Sequence, residues 1–190
     1  MLVAALAVVA VGGWALWSFL MPMYQGRDDP YSVLPRSEAL LGGEDQETRR
    51  LSGVLHQQAE THSPGSSWAR WTSNGMGDVQ LEVRYELHTA TAGASGRAVA
   101  AAWLDDRIAH AEEHFVKVVE VPRLGDAAVE TWTVAGYEVS VRSGNATVHL
   151  TYGAYGVRNG TDEQKQLQKT ARRVAALAVE EIEEANARTS

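Results

Sequence analysis

The first 26 residues of the chain contain no Asp, Glu, Lys, Arg or His, although 22% of the whole sequence is charged. Residues 1–21 are mostly apolar, and as a helix they would extend ~31 Å, about the thickness of the hydrocarbon core of a bilayer. All 24 acidic and 17 basic residues follow this segment. The sequence therefore predicts a transmembrane helix over residues 1–21, a linker over 22–29 and a single soluble domain over 30–190.

The predicted membrane segment lacks the basic start and the small-residue exit of a cleaved signal peptide. Its end is aromatic, with Trp17 and Tyr24 at positions that suit a membrane interface. We therefore predict an uncleaved anchor, and the alternative is a signal peptide cut between Met21 and Gln25. The flanking charges are nearly balanced, so we place the domain outside the cytoplasm because a long tail after a first hydrophobic segment is usually exported.

The charged part of the chain is acidic, with a net charge of −7 for the whole sequence. This balance excludes a polybasic module for nucleic acid or anionic lipid, in which the neutralisation of phosphates would dominate affinity. The chain contains no cysteine, so it has neither a disulfide nor a lipoprotein attachment site. Its length suits one domain with a real core, and no motif points to a cofactor.

Five segments of the domain are predicted strands. Residues 79–88 alternate apolar and polar side chains without a break, which is typical of a strand with one wet face. The other four are 116–121, 127–134, 137–142 and 146–152, the last two joined by a tight hairpin. By contrast, the polar segment 44–63 predicts only a weak helix or a mobile insertion, and 63–77 reads as a turn-rich loop.

Apolar residues at helical spacing predict two longer helices, over 98–115 and after Thr161, and a brief one at 37–41. Thr161 and Gln164 form the capping box that begins the last helix. The predicted fold class is α+β: a mostly antiparallel β-sheet of about five strands with helices packed on one face, preceded by the transmembrane helix.

Several short motifs resemble those of a known class of bacterial domain. They are 29–34 (DPYSVL), 41–42 (LG), 70–71 (RW), 124–129 (LGDAAV) and 141–148 (VRSGNATV). Together they resemble actinobacterial membrane-anchored or lipoprotein-type extracytoplasmic domains of unknown function, which are similar to the sensor domains of some receptor serine/threonine kinases. The resemblance covers about residues 29–187. It implies the location, the fold and a binding or sensing role, and it implies no catalytic residue.

The resemblance also implies a disulfide that this chain cannot form. Members of the family usually have a Cys just after the opening Asp-Pro and another just before the Trp, and these positions correspond to Tyr31 and Arg70. A bridge that closes a loop of roughly 40 residues typically contributes a few kcal/mol. We therefore expect packing to supply that stability, with Tyr31 stacked near Trp71 as one source.

The sharpest chemical motif is the segment from His110 to His114, HAEEH, which matches the H-x-x-E-H pattern of inverted zinc peptidases. In that pattern two histidines one helical turn apart hold zinc, and the glutamate acts as a base. The predicted apolar stripe leaves both histidines on a flank of the helix, without a dry cavity or an evident third ligand. We therefore predict a solvated helix flank, with His110 and His114 as weak metal candidates.

Other catalytic patterns do not occur in the sequence. It contains no G-x-S-x-G nucleophile elbow. Its paired carboxylates are adjacent on predicted helices and point in different directions, so they do not form a shared acid–base site. The acidic cluster over 180–184 opposes the dipole at the end of the last helix, which predicts fraying after Ile182.

Two groups of residues are candidates for binding a ligand or a partner. Trp68 and Trp71 lie on the turn-rich loop, where exposed aromatic side chains are unusual unless they are used, the alternative being a role in sealing the core. Tyr152, Tyr155 and Arg158 lie beside a strand end, where an ordinary strand-to-helix loop is the alternative.

The sequence thus predicts a non-catalytic, single-pass membrane protein that displays a binding, sensing or accessory module outside the cytoplasm. Its expected partners are the membrane, through residues 1–21, and either a small ligand or a membrane protein, but not nucleic acid. One alternative is a structural subunit of a larger membrane complex. A remote alternative is a zinc-dependent hydrolase that uses the HAEEH helix.

Overall fold

The computed structural model of the chain describes residues 17, 20, 21, 24, 26–73, 79–134, 136–154, 156–158 and 160–189. Two short 3₁₀ helices span Gly26–Asp28 and Ser37–Gly42. The α-helices are α1 (Gln46–Ser52), α2 (Gly96–Glu113) and α3 (Asp162–Ala187). The strands are β1 (Leu55–Ser63), β2 (Ser66–Ser73), β3 (Val79–Leu87), β4 (Val118–Glu120), β5 (Ala127–Thr133), β6 (Gly136–Ser143) and β7 (Ala146–Ala154).

All seven strands form one antiparallel sheet in the order β1-β2-β3-β7-β6-β5-β4. Strands β1–β3 precede α2 in the sequence and form one meander, and β4–β7 follow it and form another. The pairing of β3 with β7 joins the two into one sheet. The hairpin between β6 and β7 turns at Gly144 (φ 56°), where a Cβ would lie 2.4 Å from the Pro30 ring. Glycine is therefore required both by the backbone conformation and by the close approach of the N-terminal segment.

The main core lies on the side of the sheet that α3 covers, which we call the first face. Alternate residues of the central strands, such as Val83, Val139 and Leu150, are fully buried there. Val174 and Ile182 of α3 pack against them, as the apolar stripe of that helix predicts. The Ser37–Gly42 helix and α1 extend this layer over β1, β2 and β3.

The opposite side of the sheet, the second face, carries α2. In β7, His149 alternates with the core residues Val148 and Leu150, and it contacts Arg107 of α2. Because successive side chains of a strand point to opposite faces, α2 and α3 lie on different sides of the sheet. Leu104 of α2 is buried on this second face.

The predicted sheet of about five strands with helices on one face is therefore wrong, because the sheet has seven strands and a helix on each face. The five predicted strands correspond to β3–β7. The segment predicted as a weak helix or insertion forms α1 and β1, and the predicted loop contains β2. In β1 only Leu55 is buried, so the strand has no apolar alternation by which the sequence could reveal it.

The prediction of a transmembrane helix in front of the sheet is not supported by the described part of the chain, although Trp17, Leu20 and Met21 are helical. Among those residues, no helix is both long enough and apolar enough to cross a bilayer. Residues 1–16, 18 and 19 of the predicted segment lie outside the described residues.

The two positions at which the resemblance implied a disulfide have separate hydrogen-bond partners. The Tyr31 hydroxyl lies 3.0 Å from Ser143 Oγ, and the Tyr31 backbone exchanges two hydrogen bonds with the Asn145 side chain. Arg70 instead pairs with Glu82 on the second face, at 2.7 Å. Tyr31 thus fastens the N-terminal segment to the hairpin between β6 and β7, and Trp71 is buried in the core.

Candidate functional site

A cavity of about 270 Å³ lies between α2 and the second face of the sheet. Its apolar walls are formed by Ile108, Ala111, Val116, Val118 and Val129. Its polar lining consists of Arg107, His110, His114, Thr131, Thr133, Glu138 and Ser140. A concave site with apolar walls and a few convergent polar groups is typical of a small-ligand site.

Arg107 is held in place from three directions. Its Nη2 donates a hydrogen bond to the His149 ring, 2.8 Å from Nε2. The same nitrogen lies 3.6 Å from Glu138 Oε2, and the guanidinium carbon lies 5.5 Å from the centre of a Trp103 ring. A guanidinium stacked on an aromatic ring and paired with a carboxylate is oriented before any ligand arrives.

His149 accepts this hydrogen bond because its ring is neutral. Burial, followed by the nearby charge of Arg107, lowers the pKa of His149 to about 3. Nδ1 of the same ring lies 3.2 Å from both Arg107 Nη2 and Ser140 Oγ, so both ring nitrogens have polar partners. These contacts hold the orientation of the side chain.

Glu138 completes a row of polar groups at the base of the cavity. Its Oε1 accepts a hydrogen bond of 2.9 Å from the Thr133 hydroxyl, and its other oxygen faces Arg107. We call Thr133, Glu138, Arg107, His149 and Ser140 the polar floor. Because four of the five stand on β-strands and the fifth on a helix, the site rests on rigid elements.

Two histidines stand beside each other at the C-terminal end of α2 and line the same cavity. The ring centres of His110 and His114 are 4.3 Å apart. His114 Nδ1 lies 2.8 Å from the carbonyl oxygen of His110. Glu113 joins them, because one ligand atom from each of the three side chains lies within 4.8 Å of the others. The structure thus supplies both a cavity and a third possible ligand, neither of which the sequence indicated.

Trp68 and Trp71 lie on opposite faces of β2. Trp71 is 3% exposed and belongs to the main core, so it seals the first face. Trp68 is half-buried on the second face, with the Arg70 guanidinium 5.4 Å from its ring centre. Glu82 pairs with this Arg70. Burial alone would raise the pKa of the Glu82 carboxyl, but its interactions with Trp68 and Arg70 lower that pKa overall. The two indoles therefore do not form a shared surface.

The structure also separates the members of the other predicted group. Tyr152 is 5% exposed in the main core, where burial raises the pKa of its hydroxyl. Arg158 is exposed in the segment before α3. Tyr155 lies outside the described residues.

The sequence reasoning missed Arg107, Glu138 and His149. A signal was present, because Glu138 and His149 occupy the polar positions of two alternating strands. Their meaning depended on knowing that a helix covers this side of the sheet. Once α2 is placed there, a histidine between two buried aliphatic residues becomes the support of Arg107, which lines the cavity.

No protein-family model, curated protein or solved structure matches this chain. The resemblance to actinobacterial sensor-type domains therefore stays a prediction from the motifs.

Proposed function

We propose that this chain is a non-catalytic binding or sensing module that takes a small ligand in the cavity between α2 and the second face of the sheet. Residues 1–21 hold it at the membrane, and the domain stands outside the cytoplasm. The observation that supports this proposal best is the polar floor, in which Arg107 and Glu138 are oriented in advance and face a space with apolar walls.

The floor and the walls together describe the class of ligand. Arg107 and Glu138 present opposite charges 3.6 Å apart, and the hydroxyl of Thr131 lies beside them in the cavity lining. The walls are aliphatic, and the volume is near the lower end of the range of roughly 300–1,000 Å³ for ligand pockets. This combination favours a small molecule with a charged or zwitterionic head and a short apolar body.

A thermal-shift screen of the full-length chain in mild detergent tests the proposal. The screen uses amino acids, short carboxylic acids and small amines as probes. A probe present at about one hundred times its Kd stabilises the fold by ~2.7 kcal/mol, which raises the Tm by roughly 5–10 °C.

The matched variants are Arg107→Met and Arg97→Met. Both positions are on α2, but only Arg107 lines the cavity, and Arg97 is exposed. We expect Arg107→Met to abolish the shift and Arg97→Met to preserve it. A ligand that shifts the Tm of both variants equally would place the binding site elsewhere.

A second candidate function is the structural subunit of a larger membrane complex. Phe115, Val119 and Val134 expose apolar side chains around β4, with Phe115 98% exposed. A partner that copurifies with the chain in mild detergent should be lost in Val134→Asp. It should be retained in Val54→Asp, because Val54 is an exposed valine just before β1, at the opposite edge of the sheet from β4. Loss in both variants, or in neither, would contradict this candidate.

A further inference from the structure

We propose that His110, Glu113 and His114 bind one divalent transition-metal ion, with zinc the best match, at the opening of the cavity. This inference goes beyond the proposed function, because it requires only these three side chains and no organic ligand. Imidazole nitrogen and carboxylate oxygen are both ordinary zinc ligands, at about 2.0–2.2 Å from the ion.

The spacing of the three side chains suits a shared ion. Their ligand atoms all lie within 4.8 Å of one another. Ligand atoms of a tetrahedral zinc ion are ~3.4 Å apart, so the ion needs each side chain to move by roughly 1 Å. All three residues are exposed, and no packed neighbour has to move with them. Among the residues that the structure describes, this is the one group of three such side chains close enough to share an ion.

The hydrogen bond of His114 prepares that side chain as a ligand. A carbonyl oxygen can only accept, so His114 Nδ1 carries the proton that it donates to His110 O, at 2.8 Å. The other ring nitrogen, Nε2, lies on the side of the ring away from this carbonyl and is the atom that can offer a lone pair to a metal. Histidines that bind metals characteristically donate their other ring N–H to a carbonyl or a carboxylate.

The end of α2 adds favourable electrostatics. His114 is the C-terminal cap of the helix, and the chain leaves through hydrogen bonds from Phe115 N to Glu112 O and from Val116 N to Ala111 O. The carbonyl groups of a final helical turn carry partial negative charge, which stabilises a cation placed there. Glu113, in the same turn, adds the negative charge of its carboxylate.

The remaining histidines differ from this pair. His149 is neutral, buried and bonded to Arg107, and the His88 ring lies 3.0 Å from the Thr147 hydroxyl. His56 and His62 stand on β1, far along the sheet from α2. His62 is therefore a suitable control for nonspecific binding by an exposed histidine.

The test is a titration of the tag-free, full-length chain with ZnCl₂ in mild detergent, after removal of metals with a chelator. Calorimetry should show one zinc ion per chain. His110→Ala and His114→Ala should each weaken the affinity for zinc by roughly 10-fold or more, and Glu113→Gln should weaken it less. His62→Ala and Glu112→Gln should leave it unchanged, and circular dichroism should show that every variant is folded.

A nitrogen-detected NMR spectrum gives a second readout. On addition of zinc, the Nε2 signal of His114 should shift while Nδ1 keeps its proton. Unchanged zinc affinity in His114→Ala would overturn the proposal. An equal loss of affinity in His62→Ala would overturn it too, because it would show that zinc binds to exposed histidines without preference.

Discussion

Phe115 adopts a backbone conformation that its side chain does not favour. It follows the cap of α2 with φ 57°, a left-handed geometry in which glycine is the usual residue, and its ring is 98% exposed. The two hydrogen bonds that end the helix impose this conformation on it. Because a residue with a Cβ is strained there and this ring buries little surface, the native side chain destabilises the folded state.

We expect Phe115→Gly to raise the free energy of unfolding by about 1 kcal/mol, and the Tm by about 2–4 °C. Phe115→Ala is the matched control, because it removes the ring but keeps the Cβ that causes the strain. Thermal unfolding followed by circular dichroism measures both. An equal gain in Phe115→Ala would attribute the effect to the ring instead of the backbone.

Glu130 is a charged side chain at a core position, only 3% exposed. Arg172 of α3 binds both of its carboxylate oxygens, at 2.6 and 2.7 Å, and Gln168 donates a further hydrogen bond. Removing one partner of a buried ion pair leaves the other charge without compensation. We therefore expect Arg172→Met to lower the free energy of unfolding by about 3 kcal/mol in urea titrations.

The adjacent residue provides the control for this prediction. Arg173 pairs with Asp45 and Glu180 at the surface, where water screens the interaction. Arg173→Met should therefore leave the urea midpoint close to that of the native chain. Similar losses in the two variants would show that α3 depends on its total charge and not on the buried pair.

At the scale of elements, β1 and β2 show where the sequence pattern stops being informative. The alternation of β3, β6 and β7 is visible because each has a run of large apolar residues on one face. In β2 the buried positions include Ser67 and Ala69, whose small side chains do not look like core residues. Only the pairing with β3 on one side and β1 on the other makes them part of the sheet.

The predicted fraying at the end of α3 is wrong for a similar reason. The acidic cluster predicts fraying after Ile182, yet the helix continues to Ala187. The buried side chain of Asn186 accepts hydrogen bonds from Ser32 N and Val33 N, at 2.9 and 3.2 Å, and donates to Val33 O. A contact across more than 150 residues of sequence thus holds the last turn, which no local pattern can reveal.

We expect Asn186→Ala to release that turn and to lower the free energy of unfolding by about 2 kcal/mol, because it leaves backbone groups of the N-terminal segment unpaired. Hydrogen exchange should quicken in the last turn of α3 and at Ser32 and Val33. In Glu183→Ala, which changes an exposed residue of the same turn, exchange at those amides should stay slow. Protection that persists in Asn186→Ala would contradict this account of the helix end.

Glu181 makes α3 sensitive to pH. Burial raises the pKa of its carboxyl from 4.5 to about 7, with a further contribution from Glu184 and an opposing one from the Tyr85 hydroxyl that donates to it. Between pH 4.5 and 7 the folded state therefore holds a proton that the unfolded state has released. The contribution of this group to stability is fully present below pH 4.5 and is lost as the pH rises through 7.

That difference corresponds to roughly 3 kcal/mol. Glu181→Gln has no proton to lose, so its free energy of unfolding should fall less than that of the native chain between pH 5 and pH 8. Urea titrations at the two pH values measure the difference, with Glu183→Gln as the control at an exposed position. Parallel pH dependence in the native chain and Glu181→Gln would show that the carboxyl is ionised throughout this range in the folded protein.

At the scale of the whole molecule, the cavity exists because the sheet is covered on both faces. The individual strands β3–β7 and the helix α2 were predictable, as was the wet face of β3. The position of α2 on the second face was not, because the sequence predicted all helices on one face and His110 on a solvated helix flank. The polar residues of the strands were likewise attributed to solvent, although several of them line the cavity.

The N-terminal segment and the cavity lie near opposite ends of α2. The Asp29 carboxylate accepts hydrogen bonds from Gly96 N and Arg97 N, so the chain enters the domain at the start of α2. His110 and His114 lie at the other end of this 18-residue helix, which is about 27 Å long. If residues 1–21 are held in the membrane and α2 extends away from it, the cavity is displaced from the bilayer and accessible to ligands in solution.

Because the chain has no cysteine, single labels can test this arrangement. Fluorophores are attached to Arg27→Cys and Phe115→Cys, two exposed positions at opposite ends of α2. In proteoliposomes with quencher-bearing lipids, we expect strong quenching at the first position and little at the second, since α2 separates them by about 27 Å. A membrane-impermeant thiol reagent should label both variants in intact cells. Equal quenching would mean that α2 lies along the membrane, and labelling only after permeabilisation would place the domain in the cytoplasm.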